Sequence, residues 1–220
     1  MAKKVLDLKV DFKEESKLGD NGSFSLQPLE RGYGTTIGNA MRRVLLTSIP
    51  GAAITHVKID GVQHEFSTID GVKEDVADII MNLKKVRFKL MDNAPDKVTL
   101  SIKGKKSFTA QDIQNASDQF VVLNPEEYIT EVNSKGKLDI ELRIGIGKGY
   151  VPSEANDMPN LPVGTLSIDS IFNPVTNVTF NVQPVPGAKD PIEILALDVT
   201  TDGSITAKDA VSYTATYLRE

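Results

Sequence analysis

Two periodicities run along this chain, and their order predicts its elements. A period of two marks residues 4–13, where Val5, Leu8, Val10 and Phe12 stand among charges, and residues 23–29, closed by Phe24, Leu26 and Pro28. The Asp20-Asn21-Gly22 step between them is a strong turn signal, so the pair predicts a hairpin. A helical period follows over 35–49, where Ile37, Met41, Val44 and Leu45 form one wide apolar face with Leu46 at its edge. Thr35 or Thr36 is placed to cap that helix, and Pro50-Gly51 to end it. Strands are expected at 53–59 and 62–66 around Asp60-Gly61, then a turn at Asp70-Gly71. A second helix is expected over 72–86, with Val72, Val76, Ile79, Ile80 and Leu83 on one side.

Residues 87–146 read as strand-like and turn-rich, with clear alternation through Val98-Thr99-Leu100-Ser101-Ile102 and over 138–144. Residues 145–160 read as a loop. Segments 163–171 and 175–182 are expected to pair as strands, 183–191 to be a proline-rich loop, and 192–199 to be a last strand. Asp202-Gly203 then turns into a last helix over 206–218. Strands, helix, a β-rich middle with one helix, strands and helix make an α+β order rather than a wound parallel sheet. If both outer helices pack on a sheet of the terminal strands, the middle must be an insertion. The boundaries then fall at 1–50 with 170–220 for the discontinuous domain, and at 51–169 for the inserted β-rich subdomain with its one helix.

Composition narrows the function. The 220 residues are 40% hydrophobic but carry no Trp, so Val, Ile and Leu must fill the core. The formal net charge of −5 argues against coating nucleic acid, which needs a dense cationic surface. With no cysteine, disulfides and thiolate-ligated zinc are excluded. The N-terminus is too interrupted for a signal peptide, and no apolar run is long enough to span a bilayer. The expectation is a cytoplasmic protein that does not enter membranes.

Candidate chemistry is sparse. Gly32-Tyr33-Gly34 before a helix invites a phosphate cradle, but it lacks the third glycine of a dinucleotide fingerprint and the Gly-Lys-Ser/Thr of a P-loop. A tight helix entry explains it better. His56 and His64 could face each other across a hairpin at Asp60-Gly61, yet a metal would want further ligands. No nucleophile, base and orienter stand together, and a hydrolase using Glu65 or Asp75 has no supporting cluster. The reading is therefore of no catalytic residue, no cofactor and no metal. What stands out is the Arg42-Arg43 pair beside Leu46, on the helix of strongest periodicity. Lys84-Lys85 end the second helix, where cations suit its dipole.

The run LERGYGTTIGNAMRRVLLTSIPGAA, the following KIDGVQHEFSTIDGVKEDVADIIMNLK, and GKGYVP at 147–152 resemble the N-terminal region of bacterial DNA-directed RNA polymerase alpha subunits. VGTLSIDSIFNPVTNVTFNV and the TDGSITAKDA segment are similar to it as well. The resemblance implies a non-catalytic assembly scaffold, a homodimer that nucleates binding of the beta and beta-prime subunits in transcription. It implies a beta-subunit contact at Arg43, Leu46 and Lys84. It also implies a dimer interface from the two outer helices, expected at Ile37, Met41, Val44, Leu45, Ala210, Tyr213 and Tyr217.

Two segments depart from the family pattern. Residues 184–194 are less basic than the family's stretch there, which bears on the beta-prime side. The last helix carries Ser212, Tyr213, Thr214, Thr216 and Tyr217 where the family is richer in Ala, Leu and Ile. The sequence holds no counterpart of the family's linker and C-terminal DNA-binding domain, so this chain is not expected to bind DNA directly. The alternative is a standalone homodimeric binding module of the same fold that no longer joins polymerase.

Overall fold

The alternating segments at the two ends of the chain pair with each other, and those between them pair among themselves. The computed structural model describes residues 8–14, 16, 19–91, 96–104, 106–156 and 161–220. Strands β1 (Lys9–Glu14) and β2 (Asn21–Glu30) lead into helix α1 (Tyr33–Thr47). Then come β3 (Pro50–Ile59), α2 (Val76–Leu83), β4 (Phe88–Leu90), β5 (Asp96–Lys103) and β6 (Lys106–Thr109). They are followed by α3 (Ala110–Gln114), β7 (Phe120–Val122), β8 (Tyr128–Val132), β9 (Lys137–Lys148) and β10 (Tyr150–Val151). After α4 (Ser153–Asn156), β11 (Thr165–Ser167) and β12 (Ser170–Ile171), the chain ends with β13 (Val175–Pro184), β14 (Ile192–Thr201) and α5 (Ala207–Arg219). The class is α+β, and the strand pairings are antiparallel.

Two compact units result. One joins the chain up to Ile49 with Asn173–Glu220; the other is Pro50–Phe172. In the first, β1-β2-β14-β13 make a four-stranded sheet on which α1 and α5 lie. Its core gathers Phe24, Leu45, Ile49, Val178, Leu197 and Ala210. In the second, β5-β9-β3-β4-β7 form the main sheet, with β11 also on β3, beside the small pairs β6-β8 and β10-β12. Its core is larger and includes Val57, Val76, Ile79, Leu83, Phe88, Phe108 and Ile140.

Several local expectations give way to tertiary pairing. Asn21 and Gly22 do not turn but open β2, with Gly22 opposite Glu14, and the positive φ (72°) falls at Gly19. Gly22 is small for another reason: a Cβ there would come 2.7 Å from the Phe12 ring. Residues 4–7 of the expected first strand lie outside the described residues, as do 157–160 of the expected loop. Residues 62–66 form no strand, because β3 takes its partners from β9, β4 and β11 instead. Similarly, β13 pairs with β14 and not with the 163–171 segment, so those two stretches are not a hairpin.

The second helix is shorter than 72–86. Asp75 caps it by accepting from the Asp78 amide at 2.8 Å, and Val72 before it bridges to Val132. The β-rich unit carries two further short helices, α3 and α4, against the single one expected. A reciprocal Thr109–Asp112 capping box starts α3, within a stretch too short for helical periodicity to show.

Candidate functional site

The start of α1 shows what its glycines do. Gly32 takes φ +91°, a conformation costly for any residue with a Cβ. The Gly32 and Gly34 amides donate to the two carboxylate oxygens of Glu193 on β14, at 3.0 and 3.2 Å. A carboxylate at the positive end of a helix satisfies donors that have no partner in the helix. It also occupies the place where a phosphate would sit, so the cradle reading fails on charge. Neither Thr35 nor Thr36 caps the helix; the Thr36 hydroxyl donates to the Gly32 carbonyl at 3.1 Å.

Gly34 and Gly38, one turn apart, face β13. A Cβ at Gly34 would lie 2.7 Å from Val182, and one at Gly38 would lie 2.6 Å from the Phe180 ring. These absences let α1 lie close on the sheet, and Ile37 and Met41, three residues on from each glycine, turn with Ala40 towards the side where α5 lies. There, with Val211, Ala215 and Leu218 of α5, they line an open apolar groove of about 550 Å³ floored by β1, β2 and β14. Val10 and Leu218 at its margins are 69% and 44% exposed. The sequence reads Val10 only as a strand position and does not single out Val211 and Leu218. The last two sit at helical spacing seven apart, a signal masked by the polar residues between them.

The expected interface residues divide by burial. Ile37, Met41 and Tyr213 are half-buried, and Tyr217 is exposed with its ring stacked on Tyr213 at 6.4 Å between centroids. Leu45 and Ala210 are wholly enclosed within their own unit, and Val44 nearly so. Leu45 and Ala210 therefore have no surface to offer a second chain. They are core residues that hold α1 and α5 in place, which corrects their reading as contact residues.

The tandem arginines also divide. Arg42 Nε donates to the Val178 carbonyl of β13 at 3.2 Å, fastening the helix to its own sheet. Arg43 is exposed and lies one turn from Leu46, which packs half-buried on the core. The two form one small surface of charge beside apolar carbon. Lys84 belongs to the other unit. It ends α2, its side chain is 20% exposed, and its ammonium is paired with the Asp169 carboxylate. Partial burial pushes the Asp169 carboxyl up, but the hydrogen bond and charge of Lys84 outweigh it and hold it below the usual value.

The remaining candidates have structural partners. His56 is buried, with Nδ1 2.9 Å from the Thr55 hydroxyl and Nε2 2.9 Å from the Asn156 carbonyl. His64 is exposed and near Ser67, so the histidines do not face each other across a hairpin. Asp75 is spent on its cap, and Glu65 is exposed. Among the described residues, no group of three His, Cys, Asp or Glu side chains could hold a metal. No helix among them is long and apolar enough to cross a membrane.

Glu74 is a carboxylate held by three hydrogen bonds. It accepts from the Tyr128 hydroxyl (2.8 Å), the Thr130 hydroxyl (2.7 Å) and the Glu131 amide (3.1 Å). Burial pushes its carboxyl up, and these bonds bring it below the ordinary value. Burial and the Glu74 bond push the Tyr128 phenol up to about 12.

Comparison with known proteins agrees with this arrangement. Residues 57–173 match the family described as the RNA polymerase Rpb3/RpoA insert domain. The DNA-directed RNA polymerase subunit alpha of Chlorobaculum tepidum is 52% identical over 205 residues, covering 93% of this chain and 62% of that protein. That of Salinibacter ruber is 51% identical over 200 residues, covering 90% and 61%. That of Prosthecochloris aestuarii is 49% identical over 213 residues, covering 96% and 65%. The chain thus spans 61–65% of the length of these curated relatives. With a helix-on-sheet unit, a β-rich unit matched over more than half of the chain, and this identity, the chain belongs to the bacterial RNA polymerase alpha-subunit family, in its N-terminal region.

Proposed function

We propose that this chain is a non-catalytic assembly scaffold of a cytoplasmic bacterial RNA polymerase, a homodimer that nucleates binding of the beta and beta-prime subunits. The observation that supports the dimer is the groove between α1 and α5. It is lined almost wholly by apolar side chains and left open by a single copy. A second copy related by a two-fold axis can lay its own α1–α5 ridge there, which removes apolar area from water at about 25 cal/mol per Å². Ile37, Met41, Tyr213 and Tyr217 form the contact, Val44 adds its small exposed edge, and Leu45 and Ala210 support it from within.

Arg43 and Leu46 dock the beta subunit, together with Lys84 in the second unit. Arg43 has a planar fork of donors, and Leu46 beside it offers carbon to desolvate, a pairing frequent at interface hot spots. Two-fold symmetry shows every patch twice, so one sequence can serve two different large partners. The catalytic chemistry of the assembly belongs to those partners and not to this chain.

Sedimentation of the purified chain with and without purified beta subunit tests both halves. A dimer that shifts to a larger species on adding beta supports the scaffold. A folded chain that stays single at high concentration overturns the dimer. A dimer that captures neither large subunit marks a standalone module of the same fold.

A further inference from the structure

Lys84 is not free to act as a bare charge. Its side chain is largely buried, and its ammonium is held by Asp169, which lies between β11 and β12, 85 residues away in sequence. The other Asp169 oxygen lies 3.5 Å from the Tyr150 hydroxyl of β10. Arg87, just beyond α2, donates from Nη1 to the Ile171 carbonyl at 3.1 Å. Two cationic side chains from the end of α2 thus grip the segment from Asp169 to Ile171. Tyr150 and Ile171 pair directly across the β10-β12 ladder, and both point much of their surface outward, 62% and 41% exposed. The docking point is therefore a compensated ion pair set beside an exposed Tyr and Ile.

Resting on the assignment of Lys84 to the beta contact, we propose that Asp169 is its positioning residue, and that the pair meets the beta subunit through a neutral oxygen, a backbone carbonyl or hydroxyl, flanked by apolar side chains that cover Tyr150 and Ile171. The reasoning is electrostatic. An ammonium has three N–H donors, and pairing with Asp169 leaves donors for another acceptor while cancelling the net charge. A partner carboxylate would gain little from a neutral pair and would be repelled by Asp169 itself. A carbonyl meets no such repulsion, and apolar neighbours suit it. Holding the Lys84 rotamer in the free protein also removes an ordering cost from the binding step.

The test uses the full chain and purified beta subunit. Affinity is measured from low to high salt for the wild type, Lys84→Met, Asp169→Asn and the double variant, with circular dichroism confirming the fold of each. Each single variant is expected to lose about tenfold in affinity, and the double variant no more than Lys84→Met alone, since Asp169 acts through Lys84. The salt dependence of the double variant is expected to match the wild type, because removing both charges leaves the net charge of the contact at zero. Asp169→Glu, which keeps the charge on a longer arm, provides a second positioning variant should Asp169→Asn fail to fold. It is expected to lose affinity only when Lys84 is present.

Wild-type affinity in the Asp169 variants, or an equal loss in both backgrounds, overturns the positioning role. A flattened salt dependence in the double variant reveals a partner carboxylate and overturns the neutral acceptor. If Arg43→Ala weakens capture while Lys84→Met does not, the scaffold stands and this inference falls. If the wild type captures no beta subunit, the scaffold falls and takes the inference with it.

Discussion

Gly38 on α1 lies so close to Phe180 on β13 that a methyl group on it would sit 2.6 Å from the ring. Local propensity favours alanine here by about 1 kcal/mol in a helix interior. Packing opposes it, because no real Cβ tolerates that distance and both helix and ring must move. Gly38→Ala is expected to destabilise the protein by about 1–3 kcal/mol, the usual range for overpacking, as read by urea unfolding. A gain in stability would show that the ring can swing away freely.

The two kinds of residue on the apolar face of α1 call for different outcomes. Leu45 is wholly enclosed in its own unit, so Leu45→Asp buries a charge without a partner and is expected to unfold that unit. Ile37 is half-buried and lines the open groove, so Ile37→Glu is expected to keep the fold and give a monomer. Circular dichroism with sedimentation separates the two. A folded, dimeric Ile37→Glu chain would count against the groove as the dimer contact.

Adjacent arginines are expected to report separately. Arg42→Ala removes the bond to the Val178 carbonyl and is expected to cost about 1 kcal/mol of stability. Arg43→Ala, at an exposed position, is expected to leave stability within about 0.5 kcal/mol while weakening beta-subunit capture. Thermal unfolding and co-purification of both variants decide it. Reversed roles would mean that the helix is rotated from the orientation described.

Glu74 links stability to pH. Its folded carboxyl lies below the ordinary value of 4.5, so its ionised form is favoured by folding. The stabilisation is present above the unfolded value and fades as pH falls through the folded one. Glu74→Gln is expected to cost about 1–2 kcal/mol at neutral pH, and the difference from wild type to shrink as pH drops below 4.5. A constant difference down to strongly acid pH would sink the linkage.

Tyr128 provides the alkaline counterpart. Its phenol is raised from 10.0 to about 12, so the neutral form is favoured by folding. That contribution is whole below 10.0 and is lost as pH rises towards 12. The ultraviolet difference titration of wild type against Tyr128→Phe is expected to show a phenol ionising near 12. A midpoint near 10 would mean that the Glu74 bond is not kept in solution.

Sequence alone determined what depends on repeated, local chemistry. The stripe on α1, the alternation that became β5 and β9, and the positive φ at Gly71 all follow from spacing and residue type. So does the α+β class, because the order of periods survives any detail of pairing. The long motifs carried the family, since identity needs no geometry. Tertiary structure decided who pairs with whom and what each side chain faces. Asn21-Gly22 has the chemistry of a turn yet forms strand, because pairing with β1 and β14 outweighs a local preference of about a kcal/mol. Leu45 and Ile37 look alike on a helical wheel, but only the packed sheet and α5 leave one enclosed and the other open. Glu193 and Asp169 gave no signal at all: each acts on a group 159 or 85 residues away, and a contact across that distance exists only once the chain has closed on itself.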